Sequence, residues 1–238
     1  MSQREREQII ELAARLGVVA TEFQAELLLE HLSAVLAANE HLNLTAITDR
    51  ASAIRLHVID SLALVPHVRS AGDPIVDIGT GAGYPGVPLS IVSLRPVDMV
   101  ESVKKKARFL EECVRSLGGL SGSEVFPIRV EEAAHARPGL YGCVTARALS
   151  ALPSLVELAS PLLCVGGHLL AMKGSPTARE MEAGRTAAAS VGMEESQVVE
   201  YVLPDSGEFR TVIRYTKIGR PTVPLPRRIG LAQKRPLG

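Results

Sequence analysis

Three glycines at alternate positions, Gly79, Gly81 and Gly83, follow Asp77 and a short apolar run at residues 75–78. Glycine lacks a Cβ and tolerates positive φ, so backbone here can approach a ligand closely as a strand turns into a helix. Pro85 and Pro88 come next. Proline is tolerated in the first turn of a helix, where backbone N–H groups have no partners anyway. Two ligand chemistries compete for such a loop. Residues 81–86 spell the GxGxxG string of dinucleotide binders, whose pyrophosphate gathers helix N–H groups and is repelled by a carboxylate. S-adenosylmethionine has the opposite demand, since it carries a sulfonium and an ammonium. Asp77 at the strand end suits that second ligand, and Gly79 opens the turn too early for the dinucleotide register. Glu101, at the end of the next apolar run, can accept hydrogen bonds from both hydroxyls of a ribose. The blander alternative is a solvated strand-end carboxylate.

The cations fall in groups. Lys104, Lys105, Lys106 and Arg108 crowd the start of one predicted helix, and Arg227, Arg228, Lys234 and Arg235 load residues 220–238. Arg147, Lys173 and Arg210 fall at strand ends or turns near the expected pocket. Taken singly, most read as solvated surface charges. Arg147, a strand-end arginine beside the glycine loop, is read as functional. Cations there can hold phosphates or stack on a base. His57 and Asp60 lie one helical turn apart, a spacing that fits a local ion pair as well as an RNA contact. The other histidines lack ligand spacing with cysteine or acidic residues, so no metal is expected.

These residues need a scaffold, and the hydropathy pattern supplies one. Phe23, Leu27, Leu28, Leu32, Val35 and Leu36 recur at three- and four-residue steps, predicting a helix capped by Thr21. A second helical stretch covers 51–65. From Pro74 onward, strands at 75–78, 97–101, 124–128, 142–146 and 167–172 alternate with helices at 104–117, 152–163 and 177–190. Gly118-Gly119 closes the first of these helices. Strands at 198–203 and 211–216 are joined by a polar turn instead of a helix. The pattern predicts an α/β fold with a mostly parallel seven-stranded sheet and an antiparallel edge hairpin. A helical extension (1–70) precedes the sheet domain (71–219). A basic, proline-rich tail (220–238) follows, read as an extended arm without regular structure.

Bulk composition narrows the classes. With 46% hydrophobic residues in 238, a large core is expected; with 26 basic against 26 acidic residues there is no global pull toward polyanions. The three cysteines, Cys113, Cys143 and Cys164, form no CxxC pair and read as buried thiols in a reducing compartment. A charged N-terminus and the lack of any apolar run near ~20 residues point to a cytoplasmic protein with no membrane partner. A monomer is expected.

The ordered set is more specific than any one motif. It comprises Asn43-Leu-Thr45, His57-Val-Ile-Asp-Ser61, the loop 77–88 (DIGTGAGYPGVP), Glu101-Ser102 with Lys105-Lys106, Arg129-Val-Glu-Glu132, Thr145-Ala-Arg147-Ala148, Met172-Lys-Gly174, Pro226-Arg227 and Lys234-Arg-Pro-Leu237. Together these residues resemble the ribosomal RNA small subunit methyltransferase G (glucose-inhibited division protein B) family. The resemblance implies a Rossmann-like class I methyltransferase that uses S-adenosylmethionine to methylate N7 of a guanine in 16S rRNA, on the 30S subunit or its precursor. It implies a donor pocket of Asp77, Gly79, Gly81, Gly83, Tyr84, Glu101 and Arg147. Val130 and Glu131 would hold the adenine end, with Arg147 at the active-site mouth acting with Lys173. RNA contacts would fall to His57, Lys105, Lys106, Arg210 and Arg227. Leu56 and Lys106 stand where the family often carries arginine.

The chemistry is compatible. The segment after the fourth strand, Thr145-Ala-Arg-Ala-Leu149, has neither the Asn/Asp-Pro-Pro-aromatic motif of amine methylation nor the cysteine needed at a pyrimidine carbon. Guanine N7 carries an in-plane lone pair and has no proton to lose, so alignment alone suffices. A protein or small-molecule acceptor, a nicotinamide oxidoreductase and a non-catalytic RNA-binding module remain alternatives.

Overall fold

The computed structural model describes residues 2–118 and 120–238; Gly119, expected to help close a helix, lies outside them. The first helix, α1 (Gln3–Arg15), and α2 (Glu22–Leu42) pack on each other. Thr21 caps α2 through a reciprocal pair: its Oγ1 accepts from Gln24 N at 3.2 Å and Gln24 Oε1 accepts from Thr21 N at 3.0 Å. The Gln24 amide also donates to the Ile91 carbonyl at 2.9 Å, so the cap ties α2 to a later helix. Phe23 departs from expectation. The buried face of α2 runs through Gln24, Ala25, Leu28, Leu29, His31, Leu32 and Val35, and Phe23, one residue out of phase, is 68% exposed.

The expected helix at 51–65 is not one regular helix. The short α3 (Arg50–Ala53) runs into a π-helical turn (Ile54–Ile59) and then α4 (Asp60–Leu62), followed by α5 (Val65–Arg69). Asp60 N donates to Arg55 O, five residues back. Such turns are rare and often mark functional sites.

The rest is the sheet and its helices: β1 (Ile75–Ile78), α6 (Gly86–Ser93), β2 (Val97–Val100), α7 (Lys104–Ser116), β3 (Val125–Phe126), α8 (Val130–Ala136), β4 (Tyr141–Arg147), α9 (Leu152–Ala159), β5 (Leu163–Lys173), α10 (Ala178–Ser190), β6 (Met193–Val202) and β7 (Phe209–Lys217). The strand order is β3-β2-β1-β4-β5-β7-β6. The first five strands run parallel, and β7 is antiparallel to both β5 and β6. The order reverses between β1 and β4, which places a ligand crevice at the carboxyl ends of these strands. β5 and β6 begin earlier than hydropathy predicts, because Gly166, Gly167 and the polar run 194–197 break the alternation, and the pairing shifts register at both places before it resumes.

The tail departs most from expectation. It contains α11 (Leu231–Lys234), buries Ala232, and packs Leu225 and Leu237 against one core cluster. The other core cluster joins Leu28, Leu29 and Leu32 of α2 to Val87 and Ile91 of α6 and Leu110 of α7, so the N-terminal helices share a core with one face of the sheet domain. No helix among the described residues is long and apolar enough to cross a membrane.

Candidate active site

The loop after β1 takes its shape from three glycines in the left-handed region, with φ of 66°, 60° and 93° at Gly79, Gly81 and Gly83. At Gly79 a Cβ would strike Leu149, 2.5 Å away, so the loop and the segment after β4 can close only over a bare backbone. At Gly81 a Cβ would meet open space, on the wall of a cleft of about 320 Å³. Gly81 N donates to Glu101 Oε2 at 3.0 Å and Val103 N to Glu101 Oε1 at 2.7 Å. Each oxygen keeps a free lone pair toward the cleft that Glu101 lines.

Asp77 requires a correction. Its carboxyl is wholly buried beneath the loop and does not line the cleft; Thr145 Oγ1 donates to Oδ1 at 2.9 Å and Gly86 N to Oδ2 at 3.0 Å. Burial pushes its pKa up to about 6 against the pull of those bonds. The residue braces the glycine loop against β4 and α6, and Glu101 is the acidic group that faces the cleft.

Tyr84 is buried behind the loop, stacked on His57 with ring centroids 4.9 Å apart, tilted against His31 at 4.7 Å and 5.4 Å from the guanidinium carbon of Arg147. Its hydroxyl has no hydrogen-bond partner among the described residues. His31 Nε2 lies 2.8 Å from the Ala82 carbonyl and so carries the proton there. Burial holds the His31 pKa down at about 4. His57 is also held down at about 4, by burial first and the Arg147 charge second. Arg147 Nη2 faces His57 Nδ1 at 3.4 Å, which makes that nitrogen the acceptor; Nε2–H then donates to Thr45 Oγ1 at 2.7 Å.

A second hollow, about 470 Å³, opens beside the cleft and shares His57, Arg147 and Ala148 with it. Ala148 sits at the junction with a φ of 54°, a strain of about 1–3 kcal/mol that the packed surroundings must hold. Asp60 is the hub of this hollow. It is 4% exposed, and its carboxylate accepts from Arg147 Nη1 at 3.3 Å, Arg210 Nε at 3.2 Å and Tyr201 Oη at 3.3 Å. Arg147 Nη1 also donates to the Leu56 carbonyl at 3.0 Å. Of the two alternatives for His57 and Asp60, the local ion pair does not form: Asp60 partners arginines from β4 and β7, and His57 turns to Thr45. Arg210 further pairs with Glu208 at 2.5 Å, and Lys173 with Glu180 at 2.8 Å, both arginine and lysine lining the hollow.

A third, narrow slot of about 40 Å³ continues the cleft past Gly79 and Leu149 to Val130 and Glu131. Glu131 accepts from Gly230 N at 2.7 Å. The other predicted cations scatter. Lys106 lines the cleft and Lys105 is exposed on α7. Arg227 lies apart from all three cavities: its Nε and Nη2 each donate at 2.6 Å to Glu157, which is 2% exposed and needs a charge partner. Its hydrogen bonds run within the fold while the side chain stays 21% exposed. Sequence reasoning missed Leu149, Tyr201, Gln233 and His31. Only His31 left a trace, as a histidine in phase with the apolar face of α2.

Burial pushes the thiols of Cys113 and Cys143 up to about 12, and Cys164 is half-buried. None of the three lines a cavity described above. Among the described residues no cluster of three or more His, Cys, Asp or Glu side chains is arranged to hold a metal ion.

The cleft and the hollow meet at Arg147, His57 and Ala148. A sequence model described as GidB, rRNA small subunit methyltransferase G, matches residues 24–206. The ribosomal RNA small subunit methyltransferase G of Pelotomaculum thermopropionicum is 39% identical over 97% of this chain and 98% of its own length. That of Deinococcus radiodurans is 42% identical over 84% of this chain and 81% of its own. The fold resembles an O-methyltransferase from Bacillus cereus solved in complex with SAH, with a TM-score of 0.55 at 17% identity, covering 79% of this chain and 91% of that one.

Proposed function

The chain belongs to the rRNA small subunit methyltransferase G family, and from that premise we propose that it transfers a methyl group from S-adenosylmethionine to N7 of a guanine in 16S rRNA. When bound, the donor supplies a methyl group on a sulfonium. The residues present fit it: open space at Gly81, a Glu101 carboxylate with free lone pairs for a diol, and an unpartnered Tyr84 hydroxyl.

The observation that carries the N7 reading is the state of the ionisable groups in the acceptor hollow. Both its carboxylates, Asp60 and Glu208, are held in ion pairs with Arg147 and Arg210, and His57 is neutral with both ring nitrogens engaged. Asp60 and His57 are already engaged with neighbouring groups, an arrangement that supports an acceptor atom with no proton to give. The arginines favour the O6 acceptor of guanine, which leaves the N7 lone pair free for the methyl group. Asp60 and Glu208 offset their charge, so the cation that forms as N7 is methylated meets little net repulsion. Arg147, pinned by Leu56, Asp60 and His57, sets the boundary between the cleft and the hollow, and rigid positioning of this kind is what an alignment-limited transfer needs.

The test is to incubate 30S subunits or 16S rRNA with methyl-labelled donor and digest to nucleosides. Label is expected in 7-methylguanosine. Another methylated nucleoside would overturn the N7 assignment, and label appearing only in protein or small molecules would overturn the RNA substrate.

A further inference from the structure

The basic tail 220–238, expected as an extended arm, turns its contacts inward between residues 225 and 237. Arg227 grips Glu157 of α9 with two hydrogen bonds of 2.6 Å, and its Nη2 also donates to the Arg235 carbonyl at 2.7 Å, which clasps the segment on itself. Ser154 Oγ, on the same helix, donates to the Ala232 carbonyl at 2.9 Å. Gly230 N reaches Glu131 on α8 at 2.7 Å. Every one of these anchors lies on α8 or α9, the two helices that flank the slot at the far end of the donor cleft. Gln233 of α11, though largely solvent-exposed, lines that slot opposite Gly79, Val130 and Leu149.

We propose that the C-terminal segment 225–237 is a wall of the donor site, closing its adenine end, with Arg227–Glu157 and Gly230–Glu131 as the clasps and Gln233 as the side chain presented to the purine. This rests on the donor reading given above. The slot is narrow, so a purine seats there with α11 and Leu149 adjusting around it. A glutamine amide carries both a donor and acceptor, matching the exocyclic amine and a ring nitrogen of adenine. Glu131 then acts as a positioning residue, because the oxygen nearest the tail is occupied by Gly230.

Hydrogen exchange on the full-length protein, with and without S-adenosylhomocysteine, tests this directly. Amides of both 79–84 and 226–235 are expected to gain protection. Protection of 79–84 alone would overturn the proposal while leaving the donor reading intact; no binding at all would overturn both. Arg227→Gln is expected to weaken S-adenosylhomocysteine binding about tenfold by calorimetry. Gln233→Ala, at an exposed position that tolerates alanine, is expected to weaken it in the same direction and serves if Arg227→Gln fails to fold. In both variants affinity for 16S rRNA should stay unchanged. Loss of RNA affinity with unchanged binding of the nucleoside would show an RNA arm and sink the idea.

Discussion

Removing the Arg147 side chain would leave Asp60 with Arg210 and Tyr201 still in place, so no buried carboxylate is stranded. Arg147→Ala is therefore expected to keep the fold and S-adenosylhomocysteine affinity while methyl transfer to 16S rRNA falls by about 100-fold or more, since a misplaced acceptor costs that much. Arg147→Lys should recover little, because one ammonium cannot reach Leu56, Asp60 and His57 together. Unchanged single-turnover rates would refute the role. At Gly81 the arithmetic is different. A Cβ there meets no protein atom within 4 Å, and aspartate tolerates a φ of 60° better than most residues. Gly81→Asp should thus fold, with a melting temperature close to the parent, yet place a carboxylate beside Glu101 in the cleft and abolish detectable binding of S-adenosylhomocysteine by calorimetry. Asp77 shows where residue-level reading stops. Its type and place at the end of β1 were legible, but whether the carboxylate faced the cleft or the loop depended on Thr145, 68 positions away.

At the scale of elements, α7 carries a conflict. Three lysines open it, where the helix dipole favours acidic residues, and no side chain caps it. Lys104 and Lys105 are both exposed. Replacing both by glutamate should raise helix stability by about 0.3–1 kcal/mol per site. If this face meets RNA, the same variant should bind 16S rRNA more weakly, with a salt dependence shallower by about two phosphate contacts. Stability gained with RNA binding unaltered, in melts and salt titrations of the double variant, would remove α7 from the RNA interface. The π-helical turn makes the complementary point. An apolar pattern over 51–65 announced a helix, but periodicity carries no sign of a one-residue bulge. That bulge decides which way His57 and Asp60 point, and it is held by Arg147 and Thr45 from outside the helix.

Across the whole molecule, one core cluster runs from the N-terminal helices to the sheet. Leu28, Leu29 and Leu32 are fully buried there, and each contributes about 2 kcal/mol that neither part retains alone. Calorimetry should accordingly give one unfolding transition; two resolved transitions would show independent units. Its pH dependence follows from three buried groups. His31 and His57 titrate at about 4 in the folded state against 6.5 when free, so the unfolded chain binds their protons first and stability is lost as pH falls from about 6.5 to 4. Asp77, raised from 3.8 to about 6, works oppositely, favouring the folded state at low pH and losing that contribution as pH rises through 6. Two histidines outweigh one carboxyl. The melting temperature is expected to climb between pH 4 and 6.5, and His31→Gln, which cannot titrate, should flatten the climb.

The sequence alone determined the α/β architecture, the glycine turn after β1 and the family. Those rest on local signals: glycine tolerance of positive φ, hydrophobic periodicity and the order of short motifs along the chain. Tertiary structure alone decided that Asp77 braces the loop, that Asp60 joins Arg147 to Arg210 across 87 and 150 positions, and that the basic tail folds onto α8 and α9. A charged side chain's partner is whichever opposite charge the fold brings within about 4 Å, and residue spacing along the chain does not encode that distance.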